Sequence, residues 1–245
     1  MKLIVLVPAL NEEKTISDVV QGVPRDIAGI DQVEVMVIDD GSKDRTAALA
    51  REAGARVVSH HKNLGSGASF QTGISNALRL GADVIATIDA DLQFNPADIR
   101  SLVGHLLDHQ LDFVSCSRFL DPENYKSIPL IKRIGNRQVT WFVNMITHRH
   151  FTDVSCGFRA YTRDAALRLN PRSEFDNAQE TLIILSKGRL RMGEISLPVR
   201  GEREYGTSRI AANVLSYGVR CGSILISTLF HSRRNSGDRP SKESS

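Results

Sequence analysis

The sequence contains little cysteine and no long apolar segment. Its three cysteines, Cys116, Cys156 and Cys221, lie far apart and form no C-x-x-C pair. Neither a disulfide framework nor a thiolate zinc site is therefore predicted. The first apolar run, residues 3–7, ends at Pro8, too early for a signal peptide or a membrane-spanning helix. These absences favour a folded protein in a reducing cytosol.

The sequence also lacks a strong excess of charge of either sign. Its 31 Lys and Arg residues against 28 Asp and Glu residues give a formal net charge of +3. Nucleic-acid binding usually needs a concentrated basic face, so nucleic acid is not a predicted partner. With 245 residues, 41% of them hydrophobic, the chain can form one or one and a half globular domains.

Short apolar runs alternate with longer amphipathic stretches through the first half of the chain. Strands buried on both faces are predicted at residues 2–8, 33–39, 55–59, 83–88 and 112–117. Helices are predicted at residues 13–21, 44–53, 97–109, 131–147 and 176–187, and a loop at 121–129. The alternation predicts an α/β fold with a mostly parallel, Rossmann-like sheet flanked by helices.

Polar clusters follow three of the predicted strands. They are Asn11-Glu12, the run from Asp39 to Ser42, and Asp89-Ala90-Asp91. Because ligands in open α/β sheets bind beyond the carboxyl ends of the strands, these clusters predict one shared site. Asp40 is the candidate for a contact with a nucleobase, since a carboxylate accepts a hydrogen bond from a base N–H.

The cluster at Asp89 and Asp91 predicts a divalent metal. Hard carboxylate oxygens suit Mg²⁺ or Mn²⁺, and Gln93 supplies a further neutral oxygen. Such an ion stabilises charge on a departing diphosphate. The alternative is that one aspartate only caps the helix that starts near Pro96, but the two upstream clusters favour the metal.

The glycine-rich run at residues 62–69 is similar to a phosphate-binding loop but lacks its full pattern. Phe70 stands where a third glycine would be, and no Walker lysine follows. Gly65 and Gly67 therefore predict a tight turn into the next helix. The nearby His60-His61 pair is predicted to be an ordinary pair of surface histidines, because no third metal ligand is placed by the sequence.

Taken in order, five segments resemble the inverting GT-A glycosyltransferases of family 2. They are PALNEE (8–13), VIDDGSKDRT (37–46), KNLGSGAS (62–69), IDADLQFNP (88–96) and SRF (117–119). Three later segments are similar to the dolichyl-phosphate mannose synthase and polyprenyl-phosphate glycosyltransferase branch: KRIGNR (132–137), TDVSCGFRAY (152–161) and LPVRGEREYGTSRI (197–210). The resemblance covers nearly all of residues 2–210 and implies a GT-A fold.

The resemblance also implies roles for particular residues. The donor would be bound by Pro8, Leu10, Glu12, Ile38, Asp40, Asp89, Ala90, Asp91, Gln93, Arg203 and Arg209, with the metal at Asp89, Asp91 and Gln93. The acceptor phosphate would be bound by Arg118, Lys132, Arg133 and Asn136. Leu10 replaces an aromatic residue of the family pattern, which leaves the base open between guanine and uracil.

The expected reaction is metal-dependent, inverting transfer of a hexose from a GDP- or UDP-linked sugar to a polyprenyl or dolichyl phosphate. A phosphate monoester is already anionic near neutral pH, so that acceptor needs no general base. A saccharide hydroxyl, the alternative acceptor, needs a carboxylate base, for which Asp153 and Glu180 are the candidates. Asp91, Arg118, Asp153 and Glu180 are accordingly the candidate catalytic residues.

The organisation predicted from these features is a catalytic domain with a C-terminal extension. Residues 1–118 form its nucleotide-sugar-binding half and residues 119–210 its acceptor-facing half. Residues 211–230 predict an amphipathic helix on an anionic membrane surface, or else a helix packed on the domain or in a dimer, and 231–245 a disordered polar tail. The expected location is the cytoplasmic face of a membrane. The oligomeric state and a separate membrane-anchoring protein remain open.

Overall fold

The structure is a computed structural model that describes residues 1–169 and 178–200, and only the backbone of Ser127, Ile131 and Lys132. Within these residues one seven-stranded sheet has the order β3-β2-β1-β4-β6-β5-β7. The strands are β1 (Lys2–Ala9), β2 (Gln32–Asp39), β3 (Arg56–Ser59), β4 (Val84–Thr87), β5 (Phe113–Cys116), β6 (Arg159–Thr162) and β7 (Met192–Ile195). Strand β6 runs antiparallel to both of its neighbours, and the other pairs are parallel.

Helices cover both faces of this sheet. They are α1 (Ile16–Gly22), α2 (Thr46–Glu52), α3 (Ser66–Arg79), α4 (Ile99–Asp108), α5 (Pro122–Ser127), α6 (Leu130–Thr147), α7 (Arg163–Leu167) and α8 (Ala178–Ser186). A short 3₁₀ helix, Pro96–Asp98, leads into α4. The predicted α/β fold, a mostly parallel sheet flanked by helices, is confirmed.

The strands alternate their side chains between two apolar layers. In β1, Leu3, Val5 and Val7 pack into the layer that holds α1, α2 and α4. Ile4 and Leu6 point the other way, into the layer that holds α3, α6, α7 and α8. Because both faces are covered, the strands are mostly apolar.

The five predicted strands are confirmed to within one residue at each end. The predicted loop at 121–129 is wrong, because α5 lies inside it. The side chain of Asp121 caps this helix by accepting a hydrogen bond from the Glu123 backbone N–H at 2.7 Å, and Pro122 fills the first helical position.

Helix α1 begins at residue 16, three residues later than predicted. Residues 11–13 instead form a loop that bonds to the segment after β2. No helix in residues 1–169 and 178–200 is long and apolar enough to cross a membrane. The predicted helix at 211–230, the predicted tail at 231–245, and Arg203 and Arg209 all lie outside the described residues.

Candidate active site

The three polar clusters lie at one edge of the sheet. From β1 the chain adds β2 and then β3 on one side, and it returns to place β4 on the other side of β1. Such a reversal opens a crevice at the carboxyl ends of the strands, where ligands bind in open α/β sheets. The clusters follow β1, β2 and β4, so the fold brings them to this crevice.

Hydrogen bonds join the loops after β1 and β2. The backbone N–H of Asn11 donates to Ser42 Oγ at 2.9 Å, and the N–H of Lys43 donates to Asn11 Oδ1 at 2.9 Å. The N–H of Glu12 donates to Thr46 Oγ1 at 2.8 Å. These reciprocal bonds fix the two loops as one wall of the crevice.

Asp40 holds the glycine-rich loop in place. Its buried carboxylate accepts hydrogen bonds from the backbone N–H groups of Leu64 and Gly65, each at 2.9 Å. His60 Nδ1 lies 2.8 Å from the same carboxylate, and His60 Nε2 lies 2.9 Å from Thr72 Oγ1. The prediction that His60 is a surface histidine is therefore wrong. Its position directly after β3, at the site edge, was the signal available in the sequence.

Glycines let these loops approach closely. Gly41 has φ +75°, and a Cβ there would lie 2.6 Å from the carbonyl carbon of Lys62. Gly65 has φ +96° and immediately precedes α3, which confirms the tight turn predicted there. Only glycine adopts such backbone angles at low cost.

Asp89 and Asp91 occupy different environments. Asp89 is exposed, while Asp91 is buried and its Oδ1 accepts the backbone N–H of Gln93 at 3.1 Å. The Asp89 carboxylate lies over Gly157, where a Cβ would come within 3.2 and 3.3 Å of its two oxygens. The intervening Ala90 is buried. The loop before β6 thus leaves a space that the Asp89 side chain fills.

Neither aspartate caps the following helix. That cap is Asn95, whose side chain accepts the backbone N–H of Ala97 at 3.1 Å. Across residues 1–169 and 178–200, no three acidic, histidine or cysteine side chains converge on one point. The Asn95 cap excludes helix capping as the alternative role of these two aspartates.

Arg118 and Asp153 form a two-point ion pair. Arg118 Nε lies 2.6 Å from Asp153 Oδ2, and Nη2 lies 3.0 Å from Oδ1. Asp153 is fully buried, while the Arg118 side chain is 28% exposed. Burial by itself would lower the pKa of Arg118, but the charge of Asp153 and its hydrogen bonds outweigh burial and raise that pKa.

Arg133 and Asn136 lie on α6, facing the loop that holds Asp153. The Arg133 guanidinium donates to the carbonyl oxygens of Ile128 at 2.6 Å and Lys126 at 2.8 Å. Asn136 Nδ2 donates to the carbonyl oxygen of Thr152 at 3.1 Å. The side chain of Lys132, the fourth predicted acceptor contact, lies outside the described residues.

An open cavity of about 350 Å³ separates α6 from this loop. It is lined by Phe119, Tyr125, Arg133, Asn136, Arg137, Thr140, Trp141, Asn144 and Thr152. Among the described residues, two arginines and no carboxylate line it, so it favours an anion. Arg137 was not predicted as a contact, although it ends the KRIGNR segment.

The remaining predicted residues are the donor contacts around β1 and β2 and the candidate base Glu180. Pro8 pairs with Ile38 across β1 and β2, and Leu10 and Glu12 follow β1 in the crevice wall. The Ile38 side chain is fully buried under α3. Glu180 is buried in the first turn of α8, beside Gln179, whose Nε2 donates to Ser155 Oγ at 3.3 Å.

Comparisons with known proteins identify the family of the chain. Residues 4–169 match the family model described as Glycosyl transferase family 2. The chain is 30% identical over 217 residues to UDP-N-acetylglucosamine--dolichyl-phosphate N-acetylglucosaminyltransferase of Methanococcus voltae, covering 80% of this chain and 85% of that protein. It is 31% identical over 219 residues to undecaprenyl-phosphate 4-deoxy-4-formamido-L-arabinose transferase of Edwardsiella ictaluri, covering 84% of this chain and 62% of that protein.

Solved structures agree on the fold. The chain is similar to glucosyl-3-phosphoglycerate synthase of Mycobacterium tuberculosis in complex with Mn²⁺, uridine diphosphate and phosphoglyceric acid. The TM-score is 0.68 at 23% identity, over 93% of this chain and 78% of that one. At this identity the likeness establishes a shared architecture.

Proposed function

Because the chain belongs to glycosyl transferase family 2, with the GT-A fold and glycosyltransferase activity that the sequence predicts, we propose that it moves a hexose from a GDP- or UDP-linked sugar to a polyprenyl or dolichyl phosphate. The names of two relatives support this acceptor class, since they specify dolichyl phosphate and undecaprenyl phosphate. The proposed transfer inverts the anomeric centre and needs a divalent metal ion.

The observation that carries the choice of acceptor is the bonding of Asp153. Its two oxygens accept four hydrogen bonds, from Arg118 Nε, Nη2 and backbone N–H and from the backbone N–H of Ser155. A carboxylate has about four lone-pair sites. Asp153 therefore has no site left to take a proton from a sugar hydroxyl, and an acceptor that arrives already ionised suits this environment.

The chain's own residues would bind and align that anion. Two of the five guanidinium donors of Arg118 go to Asp153, and the other three make no hydrogen bond within the described residues. Arg133 and Arg137 line the adjoining cavity. These cations would reduce the repulsion between the anionic acceptor and the donor diphosphate and hold the acceptor oxygen for in-line attack.

Asp89 and Asp91 fit a divalent metal by donor type and by space. Both offer hard oxygen ligands, and Gly157 leaves the volume that the Asp89 carboxylate occupies. Two protein carboxylates leave coordination positions for water and diphosphate oxygens, as is usual for Mg²⁺. A metal bound there supplies Lewis-acid stabilisation of the departing diphosphate. The Mn²⁺ in the similar solved structure supports the proposal.

Gly157→Ala tests this fit. The added methyl group would displace the Asp89 carboxylate, so the affinity for Mn²⁺ in the presence of nucleoside diphosphate should fall about tenfold, as for other residues that support metal ligands. Titration calorimetry measures this affinity. Gly104→Ala is the control, because a Cβ at Gly104 meets nothing within 4 Å. Equal Mn²⁺ affinity in both variants would show that the position of Asp89 is irrelevant to metal binding.

Helix α6 supports peripheral binding to a membrane. Leu130, Ile134, Trp141 and Met145 are each at least half exposed and recur at helical spacings of four and seven residues, so they share one face. The helix contains three basic residues and no acidic one. An exposed apolar face with basic residues suits an anionic membrane surface, where a polyprenyl phosphate would be held.

Trp141→Ala tests this face. Transfer to a polyprenyl phosphate carried in phosphatidylglycerol vesicles should slow several-fold, because the variant loses apolar area that would enter the membrane. Transfer to a short, water-soluble prenyl phosphate should stay within about twofold. Leu167→Ala removes an equally exposed apolar side chain from α7 and serves as the control. Equal slowing with both acceptors would show that Trp141 acts through the acceptor cavity that it lines, and not through a membrane contact.

The proposed function is tested by product analysis. The protein is incubated with Mn²⁺, a panel of GDP- and UDP-linked sugars, and one of three acceptors: a short polyprenyl phosphate, a matched polyprenol or a free saccharide. Mass spectrometry should find a glycosylated lipid phosphate for one donor and no product from the polyprenol. Product formed on saccharide hydroxyls but never on the lipid phosphate would contradict the proposal. It would favour the alternative, in which Glu180 would be the remaining candidate base.

A further inference from the structure

Glu194 connects β7 to the proposed acceptor site. Its Oε2 accepts hydrogen bonds from the backbone N–H of Thr152 at 2.8 Å and from Thr152 Oγ1 at 3.0 Å. Its Oε1 accepts the backbone N–H of Asp153 at 3.1 Å. One carboxylate on a strand thus fixes both residues at the start of the loop that precedes β6.

From this point the hydrogen bonds branch toward both sides of the acceptor site. Asp153 holds Arg118 through the two-point ion pair, and the carbonyl oxygen of Thr152 accepts the side-chain N–H of Asn136. Thr152 Oγ1 also lies 2.5 Å from Ser117 Oγ, next to Arg118 in the chain. Arg118 and Asn136, two of the predicted phosphate contacts, are therefore positioned through the same pair of residues.

The hydrogen bonds of Glu194 stabilise its carboxylate in a partly buried position. Burial raises the pKa of Glu194, and the neighbouring charge of Asp153 acts in the same direction, while the three hydrogen bonds lower it. An ionised carboxylate close to another buried carboxylate is costly. The three donors, all from Thr152 and Asp153, offset that cost only in this loop conformation.

We propose that Glu194 is a positioning residue for the acceptor phosphate, acting through Thr152 and Asp153 on Asn136 and Arg118. This inference rests on the proposed function, because it assumes that these two side chains contact an acceptor phosphate. Glu194 itself touches no substrate in this account. It sets the distance between the contacts on α6 and the guanidinium after β5.

Glu194→Gln is the test. The amide has one acceptor oxygen in place of two, and its NH₂ group would face a backbone N–H, so at least one of the three bonds is lost. The KM for polyprenyl phosphate should rise about tenfold. The KM for the sugar donor and the calorimetric affinity for nucleoside diphosphate with Mn²⁺ should each change less than about twofold.

Glu34→Gln is the matched control. Glu34 is also a partly buried glutamate on a strand, paired with Lys2 and Arg56 away from the site. Its loss should lower the melting temperature without changing either KM. If Glu194→Gln behaves the same way, or raises both KM values equally, Glu194 has a structural role alone and the inference is overturned.

A second measurement does not depend on turnover. Hydrogen exchange at Arg118 Nε–H, followed by NMR without substrates, should be faster in Glu194→Gln than in the wild type, because the ion-paired loop is loosened. Unchanged exchange would overturn the inference. The failure of the proposed function would look different. The wild type would then form no lipid product, while Arg118 Nε–H would still exchange faster in Glu194→Gln, so the positioning network would be retained.

Discussion

Asp91→Asn is expected to lower kcat/KM roughly 1,000-fold, which corresponds to about 4 kcal/mol of transition-state stabilisation. Asp91 is buried in the loop after β4, where it is the less accessible of the two predicted carboxylate ligands. The asparagine is nearly isosteric and keeps an oxygen for the Gln93 N–H, so the fold should survive. Steady-state kinetics and thermal denaturation of the same preparation separate the two effects.

Asp108→Asn provides the control for this prediction. Asp108 ends α4 and is exposed, so its substitution removes the same charge without touching the crevice. Its turnover should equal that of the wild type. If Asp91→Asn also turned over at the wild-type rate, the aspartate pair would have no part in the reaction.

Arg118→Ala is expected to have the second largest effect, on activity and stability together. It leaves the fully buried Asp153 carboxylate without its cation, which costs about 3 kcal/mol in the free energy of unfolding. It also removes the guanidinium donors proposed to hold the acceptor, so kcat/KM for polyprenyl phosphate should fall roughly 100-fold. Chemical denaturation and initial rates at varied acceptor concentration measure the two losses.

The double variant Arg118→Ala/Asp153→Ala separates those losses. Removing both charges leaves no unpaired buried carboxylate, so much of the lost stability should return, while the activity should stay low. Recovery of transfer in the double variant would mean that Arg118 only neutralises Asp153. Arg118 would then have no direct role toward the acceptor.

The sequence predicted the strands of the N-terminal half and the position of the polar clusters after them well, because these signals are local. Each strand of that half is a short apolar run, and the polar residues after β1, β2 and β4 face the same crevice whenever the strands are parallel. The position of Asp89 and Asp91 in the crevice could be predicted from this rule, because both follow β4. The tight turn at Gly65 is also a local feature, because it needs a positive φ that glycine adopts at low cost.

The half of the chain from residue 119 onward could not be predicted to the same degree, because its contacts join distant segments. Strand β6 inserts antiparallel between β4 and β5, and nothing in its four residues indicates that pairing. Glu194 bonds to residues more than 40 positions away, and its importance comes from the loop it holds. His60 was misassigned for a related reason, since its partner Asp40 lies 20 residues earlier, directly after another strand.

The resemblance to known families supplied the proposed acceptor contacts, and the structure shows which groups already hold two of them. Arg118 is tied to Asp153 on one side, and Arg133 spends two donors on the turn between α5 and α6. Both guanidinium groups are therefore held in fixed positions. Fixed cations lose less side-chain entropy on binding an anion than flexible ones do.

Titration of Mn²⁺ into the protein saturated with nucleoside diphosphate tests the central claim most directly, because the claim requires Asp89 and Asp91 to bind a divalent ion with the leaving group. Calorimetry should detect one ion per chain in the wild type and no binding heat in Asp89→Asn/Asp91→Asn. Absence of Mn²⁺ or Mg²⁺ binding by the wild type, or equal binding by the double variant, would contradict the account.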